Sequence, residues 1–379
     1  MNQLREITVF TAGDSGKLST WSNVPYFFTE TLISFGIKVN RVDLSPSPIL
    51  SRIYEVFIHS LIKIFYKKST FTYNRTLFHY MDVRHRIKQA IKKYPDSDVN
   101  VFMTFSYSSV GLSKKLSVQI CDWTYDHYFK YFENRKPYFF EQNCVQRENK
   151  MIEGTDFVFP LFPGIEEYMK NMYLNKNIFY LGNVINTIYK ASEDEALKTK
   201  MKSNDLLFVG DKKYLLGAVH LIEAFTLLKH NYPELTLHII GLNETDLCDL
   251  PKGVQCYGYL DKGNNQDREI YYSLFQLAKI FINTTDKWGA FSATIEAMYF
   301  YTPVIVSPYD EFIKTFGKEI NFGRFCKSKN PEMLKRKIKE ILDHPSYNSM
   351  CIESHNSVKS FTWSSYVDRL LEKISQSKS

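Results

Sequence analysis

The strongest constraint on the fold is the stretch from Asp205 to Ser307, where short apolar runs alternate with amphipathic ones. Leu206-Leu207-Phe208-Val209-Gly210 reads as a buried strand ending in glycine, and Ala218 to Leu228 as a helix with Val219, Ile222, Phe225 and Leu228 on its apolar positions. Leu235 to Ile240, closed by Gly241, and Val254 to Tyr257, closed by Gly258, continue the pattern, which 280–283 and 303–306 complete. Right-handed crossovers wind such a β-α alternation into a parallel sheet of an α/β domain. Ligands bind outside the carboxyl ends of these strands, where Gly210, Gly241 and Gly258 stand, although a single glycine after a strand is more often an ordinary turn.

The run ends in Gly289-Ala290-Phe291-Ser292-Ala293-Thr294-Ile295-Glu296-Ala297-Met298. A glycine turn that opens a helix offers backbone amides and the positive end of the helix dipole to a pyrophosphate, and a carboxylate about one turn inside can hold the attached ribose. The pattern points to a nucleotide-linked donor. Glu296 also has a plainer reading, as a surface glutamate favoured near a helix start.

The first half repeats the theme more loosely. Ile7-Thr8-Val9-Phe10 runs into Ala12-Gly13-Asp14-Ser15-Gly16 and a helix from about Val24 to Phe35. Val99 to Met103, Val118 to Cys121 and Phe157 to Pro160 read as further strands, so a second sheet of the same type is expected. A chain of 379 residues divides naturally into two domains, each large enough to bury its own core.

Five blocks, in order and spacing, resemble the carboxyl-terminal half of retaining family 4 glycosyltransferases, the glycosyl transferases group 1 of bacterial surface-glycan type. They are Phe208-Val209-Gly210, Leu221-Ile222-Glu223-Ala224-Phe225, Ile239-Ile240-Gly241, Tyr257-Gly258-Tyr259-Leu260, and Ile295-Glu296-Ala297-Met298 with Thr302-Pro303-Val304-Ile305-Val306. Leu181-Gly182-Asn183-Val184-Ile185-Asn186 is similar to the family's crossing between halves, and Phe361-Thr362-Trp363-Ser364-Ser365-Tyr366 to its terminal segment. The resemblance implies a GT-B fold: two Rossmann-like parallel-sheet domains facing a central cleft. Residues 1–185 would bind acceptor, 186–360 would bind nucleotide sugar, and a C-terminal helix in 361–379 would return to the first domain.

The activity it implies is metal-independent transfer of a hexose from a nucleoside diphosphate sugar to a hydroxyl of a glycan or lipid-linked acceptor in surface polysaccharide biosynthesis, with same-face attack and retention. A UDP-sugar is preferred over a GDP-sugar, and no cofactor is needed. The resemblance assigns Glu296 to the ribose hydroxyls. The chain departs from the family in two places. Where a first glutamate holds the donor sugar, eight positions before Glu296, stands Trp288; Asp286 is the nearest carboxylate, or the sugar stacks on the indole, the alternative being that Trp288 is an aromatic packed in the domain cleft. Where the family commonly places an arginine and a lysine on the donor phosphates stand Asp211 and Leu216, with Lys212 and Lys213 between them. One of these lysines is expected to stabilise the leaving group, the alternative being that both are solvated loop residues.

In the first half, the amides of the loop Gly13 to Gly16 can meet donor phosphate or acceptor. Asp122, just past a strand, or nearby His127 can orient an acceptor hydroxyl; a helix N-cap accounts equally well for Asp122, and Tyr125 and Tyr128 read as packing residues.

Charge adds one more feature. Residues 1–185 carry 23 Lys and Arg against 17 Asp and Glu, while the remainder carries 25 against 24. The excess is densest in Ile49 to Lys68, where Ile49, Ile53, Val56, Phe57, Leu61, Ile64 and Phe65 line one helix face and Arg52, Lys63, Lys67 and Lys68 flank it. Such a helix can lie on an anionic membrane, or it can be a core helix with solvated cations. A net charge of +7 without a binding motif argues against nucleic acid. Six cysteines without a CxxC pair read as reduced thiols rather than a disulfide framework or zinc site. The opening residues show no basic and apolar leader and no apolar run reaches the ~18 residues that span a bilayer, so a cytoplasmic protein, peripheral on the inner face of the membrane, is expected. The readings of a different kind are a catalytically inactive relative that binds a partner, and a GT-B nucleotide-sugar epimerase.

Overall fold

The computed structural model describes residues 4–247, 249–286, 291–327 and 330–376. The chain divides into two compact units, Met1–Asn183 with Trp363–Ser379, and Val184–Thr362.

The first unit is built on β1 (Glu6–Thr11), β2 (Lys38–Asp43), β3 (Val99–Phe102), β4 (Leu116–Cys121) and β5 (Phe157–Pro160), in the order β2-β1-β3-β4-β5. Every pairing is parallel, from Ile7 opposite Val39 and Val99 to Val118 opposite Val101 and Phe157. All residues of β1, β3 and β5 are buried, the polar Glu6, Thr8, Thr11 and Asn100 included, as expected of parallel strands covered on both faces. The last helix, Trp363–Gln376, returns to this unit. Trp363 packs on Phe28 with ring centroids 6.2 Å apart, and Tyr366, Val367, Leu370 and Ile374 are fully enclosed.

The second unit holds β6 (Asp205–Val209), β7 (Thr236–Ile240), β8 (Val254–Cys256), β9 (Ile280–Asn283), β10 (Val304–Val306) and β11 (Gly323–Phe325), all parallel, in the order β11-β10-β9-β6-β7-β8. Its core joins Phe208, Leu237 and Ile282 to helix Leu215–Lys229 through Leu221 and Phe225, and to helix Pro331–Leu342 through Leu334 and Ile338. Lys200 lies wholly inside this unit. Its ammonium donates to the carbonyls of Phe275, Gln276 and Ala278 at 3.1, 3.0 and 2.8 Å, closing the end of helix Asn265–Leu277. Burial pulls its pKa down to about 7.

The segment Ile49 to Lys68 corrects the core-helix alternative. Helix Pro48–Ile53 continues through a π-helical stretch, Tyr54–His59, into helix Ser60–Phe65, and only Tyr54 of the three pieces is buried. The apolar stripe is on the outside.

Candidate functional site

In the second sheet, β7 and β8 follow β6 on one side and β9 begins the other side, so the strand order reverses between β6 and β9. The carboxyl ends of those two strands are where an open α/β sheet binds its ligand. Asn283, at the end of β9, donates from Nδ2 to the Val209 carbonyl of β6 at 3.0 Å and accepts the Thr285 amide at 3.1 Å. The exposed Asp286 accepts a hydrogen bond from Ser307, just past β10, at 3.0 Å. Thr285 Oγ1 is buried without a partner among the described residues, and Gly217 approaches so closely that a Cβ there would sit 2.6 Å from it. Trp288, Gly289 and Ala290 lie outside the described residues.

Helix Phe291–Tyr299 carries Glu296, and here the surface-glutamate reading fails because the residue is only 3% exposed. Lys262, from the loop after β8, donates to both of its carboxylate oxygens at 2.9 and 3.0 Å, and Tyr271 Oη donates at 2.9 Å. Burial draws Lys262 below the usual lysine range while the facing carboxylate opposes the shift; burial also raises Tyr271 well above ordinary tyrosines. Tyr272 Oη donates to the Asn186 carbonyl at 3.2 Å, so the strand-to-helix turn at 261–272 is tied to the start of this unit. Phe291 turns its ring inward against Phe312 and Phe316, whereas Ser292 is exposed.

The three strand-end glycines form a seam. Gly210 N–H donates to the Ile240 carbonyl at 2.9 Å, Gly241 N–H to the Gly258 carbonyl at 2.7 Å, and Gly258 N–H to the Leu242 carbonyl at 3.1 Å. A Cβ on Gly210 would strike Tyr214, one on Gly241 the Gly210 carbonyl and one on Gly258 the Asn243 side chain, each at 2.6 Å. The space left by the missing side chains is therefore filled by neighbouring loops. Gly241 at φ +98° and Gly258 at +63° also occupy the left-handed region that favours glycine.

Asp211 caps the short turn Lys212–Tyr214 by accepting the Lys213 amide at 2.9 Å. Lys212, with its side chain 78% exposed, reaches Asp246 at 2.8 Å, and Lys213 lies 3.8 Å from Asp211. Leu216, one turn on, is 68% exposed.

In the first unit two amides of the loop after β1 already have partners: Gly13 N–H donates to Asp43, at the end of β2, at 2.9 Å and Gly16 N–H to Asp14 at 2.8 Å. Asp122 is not a helix cap. That role belongs to Thr124, which accepts the His127 amide at 3.1 Å, while Asp122 accepts the Trp123 amide at 2.9 Å. His127 belongs to a stack of four rings, Phe162, Trp123, His127 and Tyr131, with successive centroids 4.8, 5.5 and 5.2 Å apart. Tyr125 packs against the Tyr54, Phe71 and Cys144 cluster, and Tyr128 Oη donates to Glu133 at 2.8 Å.

Two groups escaped sequence reasoning. One is Lys262, whose only signal is its place two residues after Tyr257-Gly258-Tyr259-Leu260. The other is Glu148 on helix Phe139–Gly154, buried beneath the loops that follow β3 and β4, where it accepts from Tyr125 N–H and from Ser106 Oγ. Burial raises its carboxyl to about 7 against those hydrogen bonds. Asn74, Tyr80, Tyr107 and Arg147 line the small pocket it shares. No group of His, Cys, Asp and Glu able to hold a metal ion occurs among the described residues.

Solved structures share this architecture end to end. Sucrose-phosphate synthase from Thermosynechococcus elongatus is similar over 98% of each chain, with a TM-score of 0.67 at 14% identity. HepE from Anabaena, solved with UDP and glucose, is similar over 98% of this chain and 100% of its own, with a TM-score of 0.62 at 11% identity. A putative UDP-N-acetylglucosamine 2-epimerase from Listeria monocytogenes covers 98% of this chain and 96% of its own, with a TM-score of 0.60 at 14% identity. No curated protein sequence matches significantly. The chain thus has the GT-B fold, and its residues 190–357 match the family described as Glycosyl transferases group 1.

Proposed function

We propose that the protein is a retaining glycosyltransferase that moves a hexosyl group from a nucleoside diphosphate sugar to a hydroxyl of a growing surface glycan or lipid-linked acceptor, at the inner face of the membrane and without a bound metal. The observation that carries this reading is the setting of Glu296, buried in the helix that follows β9 and held by Lys262 and Tyr271. A carboxylate offers about four lone-pair positions. Lys262 and Tyr271 take three of them, which leaves capacity for a ribose hydroxyl. A uridine donor is preferred because HepE, of the same fold, holds UDP and glucose.

In this reading the bond from the sugar C1 to the diphosphate oxygen breaks as the acceptor oxygen approaches the same face, and the hydroxyl proton passes to the departing diphosphate. Lys212 and Lys213, after β6, neutralise the charge that develops there. Asp122 and His127 orient the acceptor. Asp286 or Trp288 takes the sugar contact that the family gives to a glutamate.

A second reading, a catalytically inactive relative that binds a sugar or partner, is favoured by Leu216, an exposed apolar side chain where the family commonly has a lysine. A thermal-shift screen over nucleoside diphosphates and their sugars, followed by assays of nucleotide release with glycan acceptors, tests both. Stabilisation by a nucleoside diphosphate, with transfer at retained anomeric configuration, is expected. Binding without release supports the inactive relative, a new free nucleotide sugar supports an epimerase, and no stabilisation by any nucleotide removes the transferase and the epimerase and leaves the inactive relative.

A further inference from the structure

We infer that the rod from Pro48 to Phe65, with the basic stretch that follows it, is a docking surface for an anionic lipid bilayer. The inference rests on the membrane-linked acceptor of the proposed function and names the surface that would bring the enzyme to it. The rod is roughly 27 Å long at a helical rise. Its inner side is fixed to the first unit: Tyr54 is buried with Phe71 and Cys144, Ile62 packs against the same cluster, and His59 Nδ1 meets the Phe71 carbonyl at 2.8 Å. Its outer side has no protein cover. Ile49, Val56, Phe57, Leu61, Ile64 and Phe65 are each 56–75% exposed, and Phe139, 72% exposed, extends the patch, with its ring 6.4 Å from Tyr66.

Exposed apolar side chains gathered along one element and rimmed by charge mark an interaction surface rather than a scatter of single residues. A buried protein interface would be equally apolar, but the charge around the patch selects the occupant. Arg52, Lys63, Lys67 and Lys68 are all exposed, against the single acid Glu55. Cations beside an apolar face match a surface of anionic headgroups over acyl chains, into which aliphatic and aromatic side chains sink while lysine stems reach back to the phosphates. No helix among the described residues is long and apolar enough to cross a membrane, so the rod lies along the interface.

The test is sedimentation of the full chain with phosphatidylcholine vesicles and with phosphatidylcholine/phosphatidylglycerol vesicles. Binding to the anionic vesicles is expected, weakening as salt shortens the screening length. Charge reversal by Lys63→Glu, Lys67→Glu and Lys68→Glu is expected to weaken it at least ~100-fold, and Phe57→Ser with Leu61→Ser by a comparable factor. Because these side chains are exposed, both variants keep the circular dichroism and nucleotide affinity of the wild type. Equal binding to neutral and anionic vesicles, equal binding by wild type and variants, or a concentration-dependent dimer that Phe57→Ser with Leu61→Ser dissolves, each overturns the inference. The last outcome would assign the patch to a second copy of the chain. Failure of the transferase reading looks different: vesicle binding intact, with no donor turned over.

Discussion

Lys262 and Glu296 form a buried, two-pronged ion pair in which one ammonium contacts both carboxylate oxygens, at 2.9 and 3.0 Å, beneath the carboxyl ends of the strands. Removing one member strands the other as a buried charge, which costs about 3 to 5 kcal/mol. Lys262→Met is therefore expected to lower stability by that order and to weaken UDP binding at least ~10-fold, because Glu296 then loses the ammonium that holds its carboxylate in place. Lys262→Met combined with Glu296→Leu should recover much of the stability and none of the nucleotide affinity. Calorimetry on both variants decides the matter, and wild-type affinity in a folded Lys262→Met protein would detach the pair from the donor.

The second prediction concerns charge on the leaving group. Lys212→Ala with Lys213→Ala should reduce turnover at least ~100-fold, the usual loss for a well-placed stabiliser of developing charge. Both side chains are mostly exposed, so the melting temperature should hardly move. Unchanged kcat would return both to the status of solvated loop residues.

Glu148 makes stability depend on pH. Its folded pKa of about 7 lies above the ordinary 4.5, so the folded state binds an extra proton between those values. Stability is then fully present below about pH 4.5 and declines as pH rises through 7, by an amount on the order of 3 kcal/mol. Glu148→Gln keeps an acceptor for Tyr125 N–H, turns the second contact into an amide N–H donating to Ser106 Oγ, and removes the titration. It is expected to melt higher than wild type at pH 8 and to converge with it near pH 4.5; parallel curves across that range would refute the assignment.

Lys200 supplies hydrogen bonds to the carbonyls of Phe275, Gln276 and Ala278, of which Ala278 also accepts from Thr302 Oγ1 at 3.4 Å. Lys200→Met matches its length without its donors. It should cost at least ~3 kcal/mol, seen as a fall in melting temperature of roughly 6 to 12 °C for a unit of this size, with nucleotide affinity per folded molecule unchanged.

Metal dependence offers the bluntest check. Transfer is expected to persist in EDTA, because lysines and a helix N-terminus can take the diphosphate charge. Activity abolished by EDTA and restored by magnesium or manganese would require a metal on the donor.

Strands buried on both faces were legible because they leave unbroken apolar runs, as at 206–209 and 280–282. β2, Lys38–Asp43, was not: only Asn40 is buried along this edge strand, and its charged residues hide its period. β11 has three residues, too few to show any period. The apolar stripe of 49–65 was visible, but periodicity says that a face exists and not whether protein covers it. Glu296 was found through its motif. Lys262 and Glu148 were not, since each acquires its meaning from a partner supplied by another element, Glu296 for one and the loops after β3 and β4 for the other. Asp122 lost its capping role to Thr124 two residues away, a distinction set by local backbone geometry rather than by residue type.

The return of helix Trp363–Gln376 to the first unit imposes an order on synthesis. Residues up to Asn183 emerge from the ribosome before the second unit, yet the pocket that receives Trp363, Tyr366 and Leu370 stays empty until helix Trp363–Gln376 appears. At translation rates of 5 to 20 residues per second that wait lasts on the order of 10 to 35 seconds. The second unit, continuous in sequence, can close in the meantime, so the half encoded first is the half completed last.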